Sequence, residues 1–343
     1  MDKGLSRRGF LKLAGLTVGG LALRPVPPDL TPGPEGLGRV AASWVSVYTE
    51  PSFRSRRLTT LTRDSLLTLL SREVADEGPT YNPIWYRIAE GHTHSGNLQL
   101  VRWNPQIPEP SVSQDGALFE VSVPFTRSYR EPDPASEPLY RLYFEAVFWV
   151  EGVLTGVDGR RWYRILDDRL RVPYFVRAEH LRRIPPSEVT PISPDVPPRD
   201  KRIEVSLARQ ELMAFEYDEV VLRTRISSGV PSSGPSPNGI PTETPSGDFH
   251  VEIKTPSRHM GDGYLTSDLE AYELPGVPWV SFFHSTGVGF HGTYWHTDFG
   301  RARSHGCVNM RTEEAKWIYR WTMPLSEPDR LLISGHGTYV AVD

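Results

Sequence analysis

Proline and glycine interrupt this sequence so often that it has little room for long helices. Its 343 residues include 32 prolines and 29 glycines, which separate short runs rich in Val, Tyr, Trp and Phe. Proline cannot donate to a helix or to a central strand, and both residues mark turns. The pattern therefore predicts a mainly β chain of short antiparallel strands, long enough for two or three domains.

The overall composition excludes several classes of protein. Hydrophobic residues make up 38% and charged residues 23%, as in globular domains. A net charge of −4 gives no electrostatic basis for binding nucleic acid. After residue 30, no apolar run is long enough to cross a bilayer.

The amino terminus carries a pattern typical of export. Arg7 and Arg8 precede a short apolar run at 13–23, and Pro25 follows it. Residues 1–28 resemble a Tat-type signal, which implies transport to the cell envelope. No lipid-anchor cysteine follows, so we expect the mature protein to be free or tethered to the membrane by an uncut signal.

Two stretches, 41–108 and 109–186, share the tetrapeptide WYRI, at 85–88 and at 162–165. This similarity predicts a tandem repeat, and the alternating apolar residues suit small antiparallel barrels. The pair resembles bacterial SH3-like modules, although ordinary β-domains with a tryptophan core fit the same residues. We expect linkers at 29–40 and, rich in proline, at 187–200.

The carboxy-terminal domain, 201–335, is expected to carry the chemistry because seven of the ten histidines lie between His250 and His336. Alternation and turn signals predict strands at 202–207, 210–216 and 220–226, a long loop at 228–242, and a turn into a strand at 244–251. A helix is predicted only at Thr312–Trp321.

The cysteine count has a consequence for function. One cysteine, Cys307, cannot form an internal disulfide, so in an exported protein its thiol is expected to be buried or used. It lies in residues 304–310 (SHGCVNM), downstream of 289–293 (GFHGT). A thiol attacks acyl carbon as the thiolate, and with an ordinary pKa of about 8.5 it needs a nearby histidine to take its proton. These segments predict a cysteine nucleophile with a histidine base.

Together the two segments resemble the signature of the L,D-transpeptidase catalytic (YkuD-type) domain. The resemblance covers residues 202–335 and does not extend to the first 200 residues. It implies a β-sandwich or barrel with a short helix, a peptidoglycan stem peptide as substrate, and no metal or organic cofactor.

The resemblance also assigns roles to individual residues. It implies that Cys307 is the nucleophile and His291 the general base, oriented by the backbone carbonyl of Gly292. It also implies that His305 is a catalytic residue, which lines the cysteine together with Ser304. The N–H groups of Gly306 and Cys307 are expected to form the oxyanion hole.

Substrate contacts are less defined. Asn309 occupies a position where family members carry arginine or asparagine, so Arg311 or Arg303 is an alternative partner for a substrate carboxylate. Trp295 and His284 are further candidates for substrate binding. We expect His284 and His296 to be pocket wall or surface rather than catalytic. Four aromatic residues are expected to be core or cleft lining rather than specific ligand contacts: Trp279, Phe282, Phe283 and Trp295.

The implied reaction forms an acyl-cysteine from a tetrapeptide stem, releases D-alanine, and transfers the acyl group to an amine to give a cross-link. With water as acceptor the same site is an L,D-carboxypeptidase, and with a protein amine it anchors proteins to the wall. Two rivals remain. One is a non-catalytic wall-binding protein, and the other is a zinc hydrolase using His284, His291, His296, His305 or Cys307.

Overall fold

The computed structural model describes residues 33–231 and 242–343. The predicted export signal at 1–28, the first part of the predicted linker at 29–40 and most of the predicted loop at 228–242 lie outside these ranges. The described chain is mainly β, as the sequence predicts, with one α-helix among the described residues.

The first module forms two antiparallel sheets that enclose Val40, Val47 and Leu69. Its strands pair in the orders β4-β1-β8 and β3-β2-β7-β6-β5, and a 3-10 helix at Ser95–Asn97 precedes the last strand. The strands are β1 Leu37–Val40, β2 Trp44–Tyr48, β3 Arg57–Thr62, β4 Leu66–Thr68, β5 Ser71–Val74, β6 Ile84–Ile88, β7 Gly91–His94 and β8 Leu98–Val101.

The second module is one curved seven-stranded sheet, ordered β11-β10-β14-β13-β12-β9-β15. A 3-10 helix at Ala178–His180 again precedes the last strand. The strands are β9 Ala117–Val121, β10 Phe125–Tyr129, β11 Pro138–Tyr143, β12 Val147–Thr155, β13 Arg161–Leu166, β14 Pro173–Arg177 and β15 Leu181–Arg183.

The two modules follow the same pairing scheme. β1 pairs with β4 and β8 as β9 pairs with β12 and β15, and β6 lies between β5 and β7 as β13 lies between β12 and β14. The repeated WYRI occupies β6 and β13, where Trp85 and Trp162 are fully buried. The one difference is that the continuous strand β12 corresponds to the separate strands β4 and β5.

Two segments predicted as linkers are part of the packed structure. Leu37–Val40 is a fully buried strand, because its apolar residues close the first module, so the prediction of a linker reaching residue 40 is wrong. In 187–200, Val189 is buried in the core of the next domain, and the Ile192 N–H donates to the Arg320 carbonyl at 3.0 Å. That segment is packed against the domain that follows it rather than spanning open solvent.

The carboxy-terminal domain stacks two five-stranded sheets, ordered β18-β17-β16-β25-β19 and β23-β22-β21-β20-β24. The three strands predicted at its start and the turn into a fourth are all observed. The strands are β16 Lys201–Ser206, β17 Glu211–Glu216, β18 Glu219–Arg225, β19 Gly247–His250, β20 Ile253–Gly261, β21 Glu273–Phe282, β22 Gly289–Gly292, β23 Val308–Met310, β24 Ile333–Ser334 and β25 Tyr339–Val342.

The helix α1 spans Thr312–Trp321, the range that the sequence predicts. Its buried face, which includes Ile318, packs against β21 and β22, the strands that lead into the candidate site. Its last carbonyls accept from the buried Lys254 Nζ, at 2.6 Å for Tyr319 and 2.9 Å for Thr322, as suits the negative end of a helix. Within the described ranges, no helix is long and apolar enough to span a membrane.

Candidate active site

Parallel pairing of β22 with β23 brings the two halves of the signature together. His291 lies opposite Asn309 in the register, and Cys307 immediately precedes β23. Because side chains alternate along a strand, Cys307 and Asn309 leave the sheet on one face. Both of these residues and His291 line the same cleft. Two segments far apart in sequence thus meet through one short ladder.

His291 is buried, and its Nδ1 lies 3.0 Å from the carbonyl oxygen of Gly292. A carbonyl only accepts, so Nδ1 carries the proton and Nε2 keeps its lone pair. Burial lowers the pKa of His291 to about 4, although the Gly292 carbonyl opposes this. The imidazole is therefore neutral near pH 7.

Cys307 is partly exposed at the cleft, with Sγ 3.6 Å from the Gly287 carbonyl. Burial raises the pKa of the thiol to about 11, against a smaller lowering by a backbone hydrogen bond from Gly289. The thiol and the imidazole that line this cleft are therefore both neutral near pH 7. This differs from the sequence expectation of an ionised sulfur, because removing both groups from water disfavours both charges.

A tight turn at residues 304–307 positions Cys307. Ser304 Oγ donates to the Cys307 carbonyl and accepts from the Gly306 N–H at 3.1 Å. Gly306 has φ +122°, a conformation that favours glycine. The Gly306 N–H, expected as a free oxyanion donor, is thus already bonded within the turn.

Thr244 is a site residue that sequence reasoning missed. It is buried, donates from Oγ1 to the Gly306 carbonyl at 2.7 Å, and accepts from the Gly229 N–H at 2.8 Å. It therefore ties the cysteine turn to the segment before the long loop. Its place in the Thr-Pro-Ser-Gly turn was visible in the sequence, but its partner across the fold was not.

Other predicted residues divide between the cleft and its surroundings. His305, Arg303 and Trp295 line the cleft, and the Trp295 ring lies 5.7 Å from that of His291. Asn309 is buried, and its amide lies 3.0 Å from His296 Nε2. His296 therefore supports the cleft from behind.

Two candidates for substrate binding lie elsewhere. Arg311 pairs with Glu314 at 3.2 Å and lies over the Phe299 ring, outside the cleft, because it caps the start of α1. His284 contacts Thr286 Oγ1 at 2.8 Å on a turn outside the cleft. Trp279 and Phe283 are core residues, and Phe282 lines a different cavity, between the second module and the carboxy-terminal domain.

The cleft, of about 370 Å³, is completed by both amino-terminal modules, which sequence reasoning did not foresee. Arg39 and Arg63 come from the first module, and Tyr140, Arg141 and Tyr143 from the second. The buried Arg39 guanidinium lies 4.0 Å from the centre of the Tyr143 ring. It also donates to the Tyr294 carbonyl at 2.7 Å, so one side chain joins all three parts.

A segment that we call the strap, residues 261–273, forms one side of the cleft. Arg169 of the second module donates to two strap carbonyls, and Arg63 of the first donates to the carbonyl of Leu269. Near Cys307, the Tyr272 ring lies 5.1 Å from the His305 ring. The strap is therefore held by both modules.

A buried ionic cluster anchors the end of the strap. His259 is 2.8 Å from Asp167 of the second module through Nδ1, and 2.7 Å from Glu273 through Nε2. Burial opposes a charge on His259, but hydrogen bonds and charges from Asp167 and Glu273 raise its pKa above the usual value. A histidinium flanked by two carboxylates thus links the second module to the strap.

Among residues 33–231 and 242–343, no group of three or more His, Cys, Asp and Glu side chains is close enough to hold a metal ion.

Known proteins are similar to the carboxy-terminal domain of this chain. The profile of the YkuD family, described as the L,D-transpeptidase catalytic domain, matches residues 200–340. The chain is 26% identical over 136 residues to the putative L,D-transpeptidase YciB of Bacillus subtilis (strain 168). That alignment covers 37% of this chain and 63% of the relative's length.

Solved structures of L,D-transpeptidases are similar to part of this chain. A mutant of the Enterococcus faecium L,D-transpeptidase is 26% identical, over 42% of this chain and 50% of that one, with a TM-score of 0.30. An L,D-transpeptidase from Xylanimonas cellulosilytica DSM 15894 is 25% identical, over 42% and 60%, also with a TM-score of 0.30.

Proposed function

Since residues 200–340 are an L,D-transpeptidase catalytic domain of the YkuD type, we propose that this protein is a peptidoglycan L,D-transpeptidase with Cys307 as its nucleophile. The observation that carries the proposal is the pairing of β22 with β23, because it brings His291 and Cys307 into one cleft. The donor is a tetrapeptide stem, and the acceptor is an amine of a neighbouring stem.

The proposed first step begins with a neutral pair. As Sγ of Cys307 attacks the carbonyl carbon of the third stem residue, its proton moves to His291 Nε2. The bond between Nδ1 and the Gly292 carbonyl holds the ring with Nε2 free and stabilises the imidazolium that forms. The carbon–nitrogen bond then breaks, and D-alanine leaves with the proton from Nε2.

The second step transfers the acyl group from Cys307 to the acceptor. The acceptor amine attacks the thioester and gives a proton to His291, the carbon–sulfur bond breaks, and the sulfur takes that proton back. Of the N–H groups proposed to stabilise the oxyanion, that of Gly306 must leave Ser304 Oγ before it can serve. We propose that Asn309 positions the site through His296, and that Arg303, His305 and Trp295 contact the stem.

The proposed place of action is the cell envelope, reached through a Tat-type signal at residues 1–28. A peptidoglycan substrate lies outside the cytoplasm, which agrees with that sequence pattern. The test is the distribution of the protein when Arg7 and Arg8 are both changed to lysine. Retention in the cytoplasm supports the Tat route, and unchanged export excludes it.

Intact-mass spectrometry tests the reaction. The wild type, Cys307→Ala and His284→Ala are each incubated with a disaccharide-tetrapeptide. We expect loss of D-alanine and a transient acyl adduct for the wild type and His284→Ala, because His284 lies outside the cleft, and neither for Cys307→Ala. Turnover that persists in Cys307→Ala, or that a chelator abolishes, contradicts the thiol mechanism.

The products distinguish the acceptors. A cross-linked dimer identifies transfer to a stem amine, a free tripeptide identifies transfer to water, and a protein adduct identifies wall anchoring. Absence of turnover and of adduct on any tetrapeptide favours a non-catalytic wall-binding role.

A further inference from the structure

A second cleft, which we call the aromatic cleft, lies on the first module and is separate from the catalytic cleft. It measures about 570 Å³, and its aromatic lining consists of Trp44, Tyr48, Phe53 and Tyr81. Asp298 and Arg301 of the catalytic domain form part of its border. Nothing in the proposed reaction uses these residues.

The pleat of β2 explains why large rings face solvent here. Val45 and Val47 point into the module core, so Trp44, Ser46 and Tyr48 leave the opposite face of the strand. Trp44 is 56% exposed and Phe53 is 49% exposed. Exposed rings gathered in one cleft, rather than scattered singly, are typical of a ligand site.

Three of the four rings, those of Tyr48, Phe53 and Tyr81, contact neighbouring side chains before any ligand arrives. The centre of the Phe53 ring lies 4.7 Å from that of the buried Trp85 and 5.9 Å from that of Tyr48. The Arg301 guanidinium lies 5.8 Å from the centre of the Tyr81 ring. Ordered rings bind with a smaller loss of conformational entropy than mobile ones.

The polar groups of the aromatic cleft favour a ligand rich in hydroxyls. Thr93 lines the cleft and is fully buried, and its Oγ1 has no hydrogen-bond partner among the described residues. A buried hydroxyl without a partner is costly, so a ligand group that bonds to it gains affinity. The nearby Ser43, Ser46 and Asn97 add neutral donors and acceptors. The Asp298 carboxylate is already bonded to Arg301 Nε at 2.6 Å.

Aromatic faces beside neutral hydrogen-bonding groups match a sugar ring, which has apolar C–H faces and a rim of hydroxyls. The aromatic cleft also adjoins the catalytic cleft. Ala41 and Arg303 line the catalytic cleft, whereas Ala42, Ser43 and Arg301 line the aromatic cleft. A ligand could therefore extend from one into the other along the chain at 41–43.

We infer that the aromatic cleft binds sugar rings of the glycan strand that carries the donor stem. This inference rests on the proposed function, because a stem peptide in the catalytic cleft is covalently attached to a sugar. Trp44 and Phe53 contact the sugar faces, and Thr93 bonds to a sugar hydroxyl or amide. The first module thereby presents the stem to Cys307.

A comparison of two donors tests the inference. Steady-state kinetics are measured with a disaccharide-tetrapeptide and with the same tetrapeptide lacking sugar, for the wild type, Trp44→Ala and Leu58→Ala. Leu58 is a half-exposed residue on β3 of the same sheet and does not line the cleft, so it serves as the matched control. We expect Trp44→Ala to raise KM about tenfold for the sugar-bearing donor and to leave KM for the free peptide unchanged. Equal effects on both donors, or none, overturn the inference.

A binding measurement separates this inference from the reaction itself. Calorimetry with a tetramer of β-1,4-linked N-acetylglucosamine is carried out on the full protein, with Thr93→Val as a second variant. We expect saturable binding by the wild type and Leu58→Ala, weaker binding by Thr93→Val, and the weakest by Trp44→Ala. Binding without turnover means that the proposed function fails and the sugar site stands. Absence of binding, or preference for the sugar-free tetrapeptide, excludes the sugar site even if the enzyme is active.

Discussion

One wall of the catalytic cleft carries Cys307 and His291 on neighbouring strands of a single sheet, whereas the other carries Arg39 and Tyr143 from two separate modules. The first wall depends on a ladder a few residues long and on a turn built around Gly306. The second depends on a guanidinium that joins three parts of the chain. In the proposed reaction the first wall performs the chemistry, and the second shapes the space in which a substrate lies.

Replacing Cys307, the proposed nucleophile on the first wall, gives the largest expected effect on activity. Cys307→Ser keeps the size and the turn of the side chain but replaces the thiol with a far less acidic hydroxyl. We expect kcat to fall on the order of 10⁴-fold or more, with an unchanged melting temperature. Steady-state kinetics and thermal unfolding check this, and a fall of less than tenfold contradicts the role of Cys307.

Replacing His291, the proposed base on the same wall, gives the next largest expected effect on activity. His291→Gln removes the group that takes the proton, and we expect kcat/KM to fall about 10³-fold.

In the wild type, the pKa of His291 is about 4 and that of Cys307 about 11. Attack by a neutral pair therefore predicts a kcat/KM that is flat between about pH 5 and about pH 10 and falls below about pH 4 as His291 protonates. A limb near the ordinary histidine pKa of about 6.5 contradicts a neutral resting pair.

A substitution at Arg39 tests the second wall, which the two modules supply. Arg39→Met leaves the Tyr294 carbonyl without its buried donor and leaves the Asp64 carboxylate with Arg141 as its remaining arginine partner. We expect a loss of about 3–5 kcal/mol in the free energy of unfolding, by denaturant titration. For the fraction that remains folded, we expect a higher KM with little change in kcat, because the chemistry lies on the other wall.

The matched control for Arg39 is Arg54→Met. Arg54 pairs with Glu77 at 3.3 Å, but both side chains are mostly exposed. We expect this change to lower the free energy of unfolding by no more than about 1 kcal/mol. If Arg39→Met lowers kcat as strongly as the loss of His291 does, the division of labour between the walls is wrong.

The ionic cluster of the strap gives the smallest and most pH-dependent effect. The pKa of His259 is raised above its unfolded value, so its stabilisation is complete below about pH 6.5 and is lost as pH rises through the folded pKa. We expect His259→Gln to lower the free energy of unfolding by about 3 kcal/mol near pH 6 and by less near pH 9, as measured by denaturant titration. His92→Gln is the control, since His92 pairs with Glu73 nearer the surface. A cost for His259→Gln that does not vary with pH contradicts a charged His259.

The sequence predicted those parts of the fold that depend on nearby residues. Alternation predicted β16, β17 and β18, and the helix predicted at Thr312–Trp321 is α1 with the same bounds. The repeated WYRI predicted two similar modules, and both place the tryptophan in the core of the same pairing scheme. The expectation that residues up to 40 form a linker was wrong, because pairing with β4 and β8 decides that Leu37–Val40 is a strand.

For the site, the motif determined which thiol and which imidazole to consider, since their spacing fits one strand pair and one turn. Tertiary structure decided the rest. It buried both groups and so set their neutral resting forms, gave Gly306 carbonyl the partner Thr244, placed Arg311 and His284 outside the cleft, and supplied Arg39, Arg141 and Tyr143 from the modules. Burial and long-range contacts depend on how whole domains pack, and no local pattern of residue types encodes that packing.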